Sequence, residues 1–81
     1  MKVNIRFYCP ELVGNAPSGE YELPDGSDVA TLVRLVEEQN GGFVEDYFSH
    51  MIFTVDHRPA TESTILSEGN RVNVMRKIFG G

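Results

Sequence analysis

A chain of 81 residues has room for one hydrophobic core and no second domain, because so short a polypeptide buries only about 60–65% of its unfolded surface. With 41% hydrophobic and 23% charged residues its composition is that of an ordered, soluble globular domain. A net charge of −5 argues against general nucleic-acid binding, which needs many Lys and Arg contacts to phosphates, and the single Cys9 excludes an internal disulfide. No charged-then-apolar leader and no long apolar run is present, so a cytoplasmic protein that does not enter a membrane is the expectation.

The elements follow in chain order. Val3, Ile5 and Phe7 alternate with Lys2, Asn4, Arg6 and Tyr8, which predicts a first strand with one buried face. From Cys9-Pro10 to Gly19 the chain is rich in turn formers and is expected to be a loop, followed by a second strand over residues 20–23. Pro24-Asp25-Gly26 breaks that strand, and Ser27 or Asp28 is placed to cap a helix. Val29, Leu32, Val33 and Val36 recur at i, i+3, i+4 and i+7, with Arg34, Glu37 and Glu38 mainly off the stripe, so the helix is amphipathic and about three turns long. Asn40-Gly41-Gly42 ends it.

Phe43, Val44, Tyr47, Phe48 and Met51 suit a short helix better than a strand. Residues 51–55 are β-branched and aromatic and predict a third strand, with Asp56-His57-Arg58-Pro59 as its turn. A polar stretch that leaves room for one further strand leads to Ile65-Leu66, the turn Ser67-Glu68-Gly69-Asn70, and a final strand in which Val72 and Val74 alternate with Arg71, Asn73 and Met75. One helix lies most simply across one face of a mixed sheet. The helix stripe should therefore pack on Val3, Ile5, Phe7, Val72 and Val74, leaving Asn4, Arg6, Asn73 and Met75 on the opposite face.

Five of the seven basic residues, Lys2, Arg6, Arg71, Arg76 and Lys77, belong to the first strand or the last segment. If those strands are neighbours they form a basic patch on an acidic chain, able to steer an acidic partner. Intrinsic catalysis has no candidate: Cys9 precedes Pro10 without an activating neighbour, His50 and His57 lack metal-ligand spacing, and neither a nucleophile elbow nor a glycine-rich phosphate loop occurs. The remaining feature is Phe79-Gly80-Gly81. Two glycines form a thin, permissive strip that threads a narrow channel, which suits a segment whose carboxylate is itself the reacting group. A carboxylate is a poor electrophile and must be activated by another protein, so the chain is expected to be a carrier or co-substrate and not an enzyme.

Three segments carry a family resemblance: the opening strand from Val3 to Tyr8, the run Leu23-Pro24-Asp25-Gly26-Ser27-Asp28-Val29-Ala30-Thr31-Leu32, and Leu66-Ser67-Glu68-Gly69-Asn70-Arg71-Val72-Asn73-Val74 with Gly80-Gly81 shortly after it. Together they resemble the MoaD/ThiS sulfur carriers, which are ubiquitin-like. The resemblance implies an α+β β-grasp fold, a mixed sheet with one main helix packed across one face. It implies a domain over residues 1–77 and a flexible diglycine tail over 78–81.

It further implies that an adenylating enzyme of the ubiquitin-activating type, using its own ATP and magnesium, activates the Gly81 carboxylate. Sulfur then replaces AMP to leave a thiocarboxylate for a sulfur-acceptor synthase. Gly80 accompanies Gly81 in that chemistry, while Arg6, Met75, Arg76, Lys77, Ile78 and Phe79 are the expected partner contacts. The chain itself is expected to hold no cofactor or metal and to be a monomer when free. Two departures stand out. Asp56-His57 replaces the family's asparagine–glycine turn, and Arg76-Lys77-Ile78-Phe79 replaces its proline-rich stretch. The acceptor therefore stays open among molybdopterin, a thiazole, a thiolated nucleobase and cysteine. The basic pair is also similar to that of ubiquitin relatives that join their terminal glycine to a lysine of another protein.

Overall fold

The computed structural model describes residues 1–14, 16–44 and 46–78. Five strands, β1 (Lys2–Phe7), β2 (Gly19–Glu22), β3 (Met51–Val55), β4 (Arg58–Ala60) and β5 (Arg71–Arg76), form one sheet in the order β2-β1-β5-β3-β4. β1 and β5 run parallel at its centre, and the other pairs are antiparallel. The helix α2 (Val29–Gln39) covers one face, and a one-turn helix, α1 (Pro10–Val13), closes the end of the core where β1 finishes.

The central packing follows the alternation read from the sequence. Val3 and Ile5 of β1, Val72 and Val74 of β5, and Val29, Leu32, Val33 and Val36 of α2 are all essentially inaccessible to solvent. Phe7, expected in this group, is only half-buried, packed edge-to-face on Phe43 at the rim. The core also takes in Cys9, Leu12, Val13, Leu23, Tyr47, Met51, Phe53 and Leu66.

The amides at the start of α2 are all accounted for, as a buried helix end requires. Val29 N donates to Thr64 O and Ala30 N to Glu62 O, Thr31 N donates to the Asp28 carboxylate at 2.8 Å, and Leu32 N donates to Asp28 O. Residues 62–66 thereby pin the helix to the sheet, reinforced by a bridge between Asp28 and Ile65. At the other end Gly42 N and Asn40 N both bond Glu37 O, with Gly41 at φ +81, so the internal diglycine does stop the helix.

Three expectations are corrected. Residues 10–13 form a helix where a loop was expected: Pro10 presets the first helical φ, Leu12 N and Val13 N both reach Cys9 O, and burial of Leu12 and Val13 holds the turn. Arg58 and Pro59 belong to β4 and not to a turn. Asp56 (φ +49) and His57 (φ +67) alone make a two-residue hairpin of the left-handed kind, and Pro59 is tolerated because β4 is an edge strand. The helix expected across residues 43–50 shrinks to a 3-10 turn, Tyr47–His50, with Phe43 and Val44 outside it and Asp46 left-handed at φ +60. Asp56 stabilises its own strained turn by accepting hydrogen bonds from Arg71 N at 2.9 Å and Asn70 Nδ2 at 2.7 Å.

Candidate docking face and C-terminal segment

The face of the sheet opposite α2 carries no helix. Strand alternation assigns it Lys2, Asn4 and Arg6 from β1, Glu20 and Glu22 from β2, Ile52 and Thr54 from β3, and Arg71, Asn73 and Met75 from β5. The registers Ile52↔Met75 and Thr54↔Asn73 set these side chains in rows across the strands. One row is apolar. Met75 is half-buried between Ile52, 42% exposed, and Tyr8, 54% exposed, whose amide bonds Val74 O at 2.8 Å. Exposed apolar side chains grouped at one end of an otherwise polar sheet are the usual mark of a contact surface.

This end of the sheet is where the C-terminal segment leaves. Lys77 N donates to His50 O at 2.8 Å, extending the β3–β5 pairing by one rung. Lys77 then lines a groove of about 340 Å³ with Phe48, Met51, Ile52 and Glu62, on the edge of β3 that the short β4 leaves uncovered. Ile78, at 90% exposure, stands clear of the domain. Phe79, Gly80 and Gly81, and with them most of the expected 78–81 tail, lie outside the described residues.

Of the expected contact residues, Arg6 and Met75 share the open face, Lys77 edges it, and Ile78 projects beyond it. Arg76 does not join them. Its register partner is the buried Met51, so it points toward the α2 side, where its guanidinium meets Glu11 of α1 at 3.6 Å. Both groups are well exposed, so the pair contributes little to stability. The five basic residues therefore do not make one continuous patch. Arg6 and Arg71 remain on the open face without an ion pair among the described residues, while Lys2 stands across from Glu22.

The other chemistry-bearing side chains are structural. Cys9 is inaccessible, its thiol lies 3.9 Å from Val74 O, and burial, aided by the Glu11 charge, pushes its pKa up. A thiol held protonated in this way is inert, as its sequence context suggested. Among the described residues no cluster of three His, Cys, Asp or Glu side chains is arranged to hold a metal, and no helix is long and apolar enough to cross a membrane. Tyr47 donates to Glu37 Oε1 at 2.9 Å, and burial together with this neighbouring carboxylate raises its pKa to about 12.

No protein-family model matches the chain, and no curated protein matches it in sequence. Solved structures do resemble it over essentially its full length. SAMP1 from Haloferax volcanii superposes with a TM-score of 0.76 at 10% identity, covering 100% of each chain. A protein from Pyrococcus furiosus provisionally named molybdopterin converting factor subunit 1 superposes with a TM-score of 0.69 at 20% identity, covering 96% of this chain and 99% of its own. A chain from the complex of subunits 1 and 2 of molybdopterin-converting factor from Helicobacter pylori 26695 gives a TM-score of 0.55 at 16% identity, covering 100% of each. Identities this low speak to architecture. Five strands in a mixed sheet, with one main helix across one face, make this chain an α+β protein of the ubiquitin-like β-grasp fold.

Proposed function

We propose that this chain is a sulfur carrier that works through the carboxylate of Gly81 and is itself not an enzyme. The observation that carries the reading is positional: in the sequence Gly80-Gly81 follow the central strand β5 of a β-grasp sheet after only Lys77, Ile78 and Phe79, and β5 itself contributes Met75 to an exposed apolar row. The fold likeness to subunits of molybdopterin-converting factors supports it, as does the burial of Cys9, the one thiol of the chain, which keeps it from acting as the sulfur-bearing group.

The reaction belongs to a partner. A carboxylate oxygen of Gly81 attacks the α-phosphorus of ATP on an adenylating enzyme and releases pyrophosphate. Sulfide then attacks the acyl-adenylate carbonyl, AMP leaves, and a thiocarboxylate remains. With a persulfide donor the product is an acyl disulfide, which a second thiol cleaves to the same thiocarboxylate. ATP and magnesium are held by the partner.

The chain's contribution is recognition. Met75, with Ile52 and Tyr8, supplies an apolar anchor on a sheet that needs no rearrangement to dock, and Arg6 and Lys77 flank it. Ile78 and Phe79 enter the partner's channel ahead of the glycines, and Arg76 contacts its rim from the opposite side of β5. The same face serves the adenylating enzyme and the sulfur-acceptor synthase in turn, so the two bind one after the other.

Incubation with the adenylating enzyme, ATP-Mg and sulfide, followed by intact-mass measurement, should show one oxygen replaced by sulfur. Gly80→Val, or one alanine added after Gly81, should abolish that product without lowering the melting temperature. Variants that support the pathway as well as the parent chain would refute the carrier reading. In that event the exposed apolar row favours a ubiquitin-like interaction module, whereas a diglycine that is required but yields no thiocarboxylate favours a protein modifier.

A further inference from the structure

Away from the apolar row, the open face holds a second site. A pocket of about 220 Å³ is lined by Asn4, Ile5, Arg6, Ser18, Gly19 and Arg71. Its origin is topological. Parallel pairing sets Arg71 of β5 across from Asn4 of β1, with Arg6 two residues further along the same face. β2 begins only at Gly19, opposite Ile5, so no cross-strand side chain stands beside Arg6 on that flank, and Ser18 turns in to accept a hydrogen bond from Phe7 N at 3.1 Å.

The polar groups here are mostly donors without acceptors. Neither guanidinium forms an ion pair and the side-chain amide of Asn4 has no hydrogen bond among the described residues, while the Ser18 hydroxyl, already accepting, still has its proton to give. The nearest carboxylate in register is Glu20, across from Asn4, and it pairs with neither arginine. Two like charges kept together on a chain of net charge −5, with carboxylates in excess, are an arrangement that an external anion would complete.

We propose that the Arg6–Arg71 pocket binds a carboxylate, the Asp or Glu side chain of the protein that docks on the open face. A planar guanidinium fork matches a carboxylate in two parallel hydrogen bonds, and Asn4 and Ser18 supply further donors. At a rise near 3.3 Å per residue, Arg6 lies about 7 Å from Tyr8 along β1 and Arg71 about 13 Å from Met75 along β5, so one partner surface covers both. The apolar row supplies adhesion, and the pocket fixes orientation and rejects a partner lacking the acid. Assignment to a protein carboxylate rests on the docking-face reading above, whereas the anion site itself does not.

The test uses the free chain. Amide and arginine Nε resonances are followed while a blocked di-glutamate peptide, inorganic phosphate or sodium chloride is added at matched ionic strength. Saturable shifts confined to Asn4, Arg6, Ser18, Gly19 and Arg71 are expected with the peptide, with Kd raised roughly tenfold or more in the exposed-residue double variant R6Q/R71Q. The single variants repeat the test if the double variant is unstable. Shifts that track ionic strength alike for all three additions, or peptide binding unchanged by the substitutions, would overturn the site. Saturation by phosphate without saturation by peptide would overturn the carboxylate assignment. None of these results depends on thiocarboxylate formation, so failure here and failure of the carrier reading are separately visible.

Discussion

Leu32→Ala tests whether α2 holds the domain together. Leu32 is inaccessible to solvent, and so are Val29, Val33 and Val36 beside it on the helix and Val3, Val72 and Val74 in the sheet below. The substitution removes three carbon atoms from this contact. Their transfer to water alone is worth about 2.4 kcal/mol at about 0.8 kcal/mol per carbon. The surrounding side chains are β-branched and fixed by two opposing elements, so the site collapses little and a cavity term adds to the loss, giving about 3–4 kcal/mol. A domain of this length has a total stability of about 4–12 kcal/mol. In urea, with a slope near 1 kcal/mol per molar, the midpoint should fall by about 3 M. Glu38→Ala on the exposed side of the same helix should change stability by no more than about 0.5 kcal/mol. A loss under about 1 kcal/mol for Leu32→Ala, with Glu38→Ala behaving as stated, would mean that the stripe is not the main contact between helix and sheet.

Three further outcomes are expected. Asp28→Ala should cost about 1 kcal/mol through loss of the bonds to Thr31 N and Thr31 Oγ1, measured by urea unfolding. Those two bonds lower the Asp28 pKa, so their stabilisation is complete above its ordinary value of 3.8 and is lost as pH falls through the lower folded value; a parent and variant that converge in acid confirm the sign. Tyr47 behaves oppositely: its stabilisation is complete below pH 10 and declines as pH rises toward about 12, so Tyr47→Phe should flatten the alkaline limb of the stability curve, and an unchanged limb would refute this. Met75→Glu should weaken binding to the adenylating enzyme roughly tenfold or more by calorimetry while the fold persists, and undiminished affinity would move the docking surface elsewhere.

The parts of the fold legible in the sequence are those with a repeating signal. The α2 stripe has four apolar positions at helical spacing, and β1 and β5 alternate strictly enough to assign both faces of the sheet, hence the open face. Short elements escaped because they have no period to read. α1 is four residues long and held by burial of Leu12 and Val13, and β4 is three residues long, contains Pro59, and exists because Asp56 and His57 accept left-handed backbone. That acceptance depends on Asp56 bonding Asn70 and Arg71, a contact set by topology. The site was legible in the same uneven way. Arg6 and Met75 follow from alternation, but the pairing of Arg6 with Arg71 needs the parallel register of strands at opposite ends of the chain.

That register also governs how the protein can be made. β1 is the first strand synthesised and β5 the last, and β5 alone joins the β1–β2 hairpin to the β3–β4 hairpin. Until it emerges from the ribosome the nascent chain has two separate hairpins, each marginal in water, and a helix with no sheet to cover. Folding is therefore expected to be all-or-none and late, with the high contact order that slows the search for the native pairing. It also makes the fold a check on the completion of β5. A product truncated within β5 cannot close the sheet and is open to proteolysis, so the chains that survive are those that extended at least to the residues leading into the diglycine.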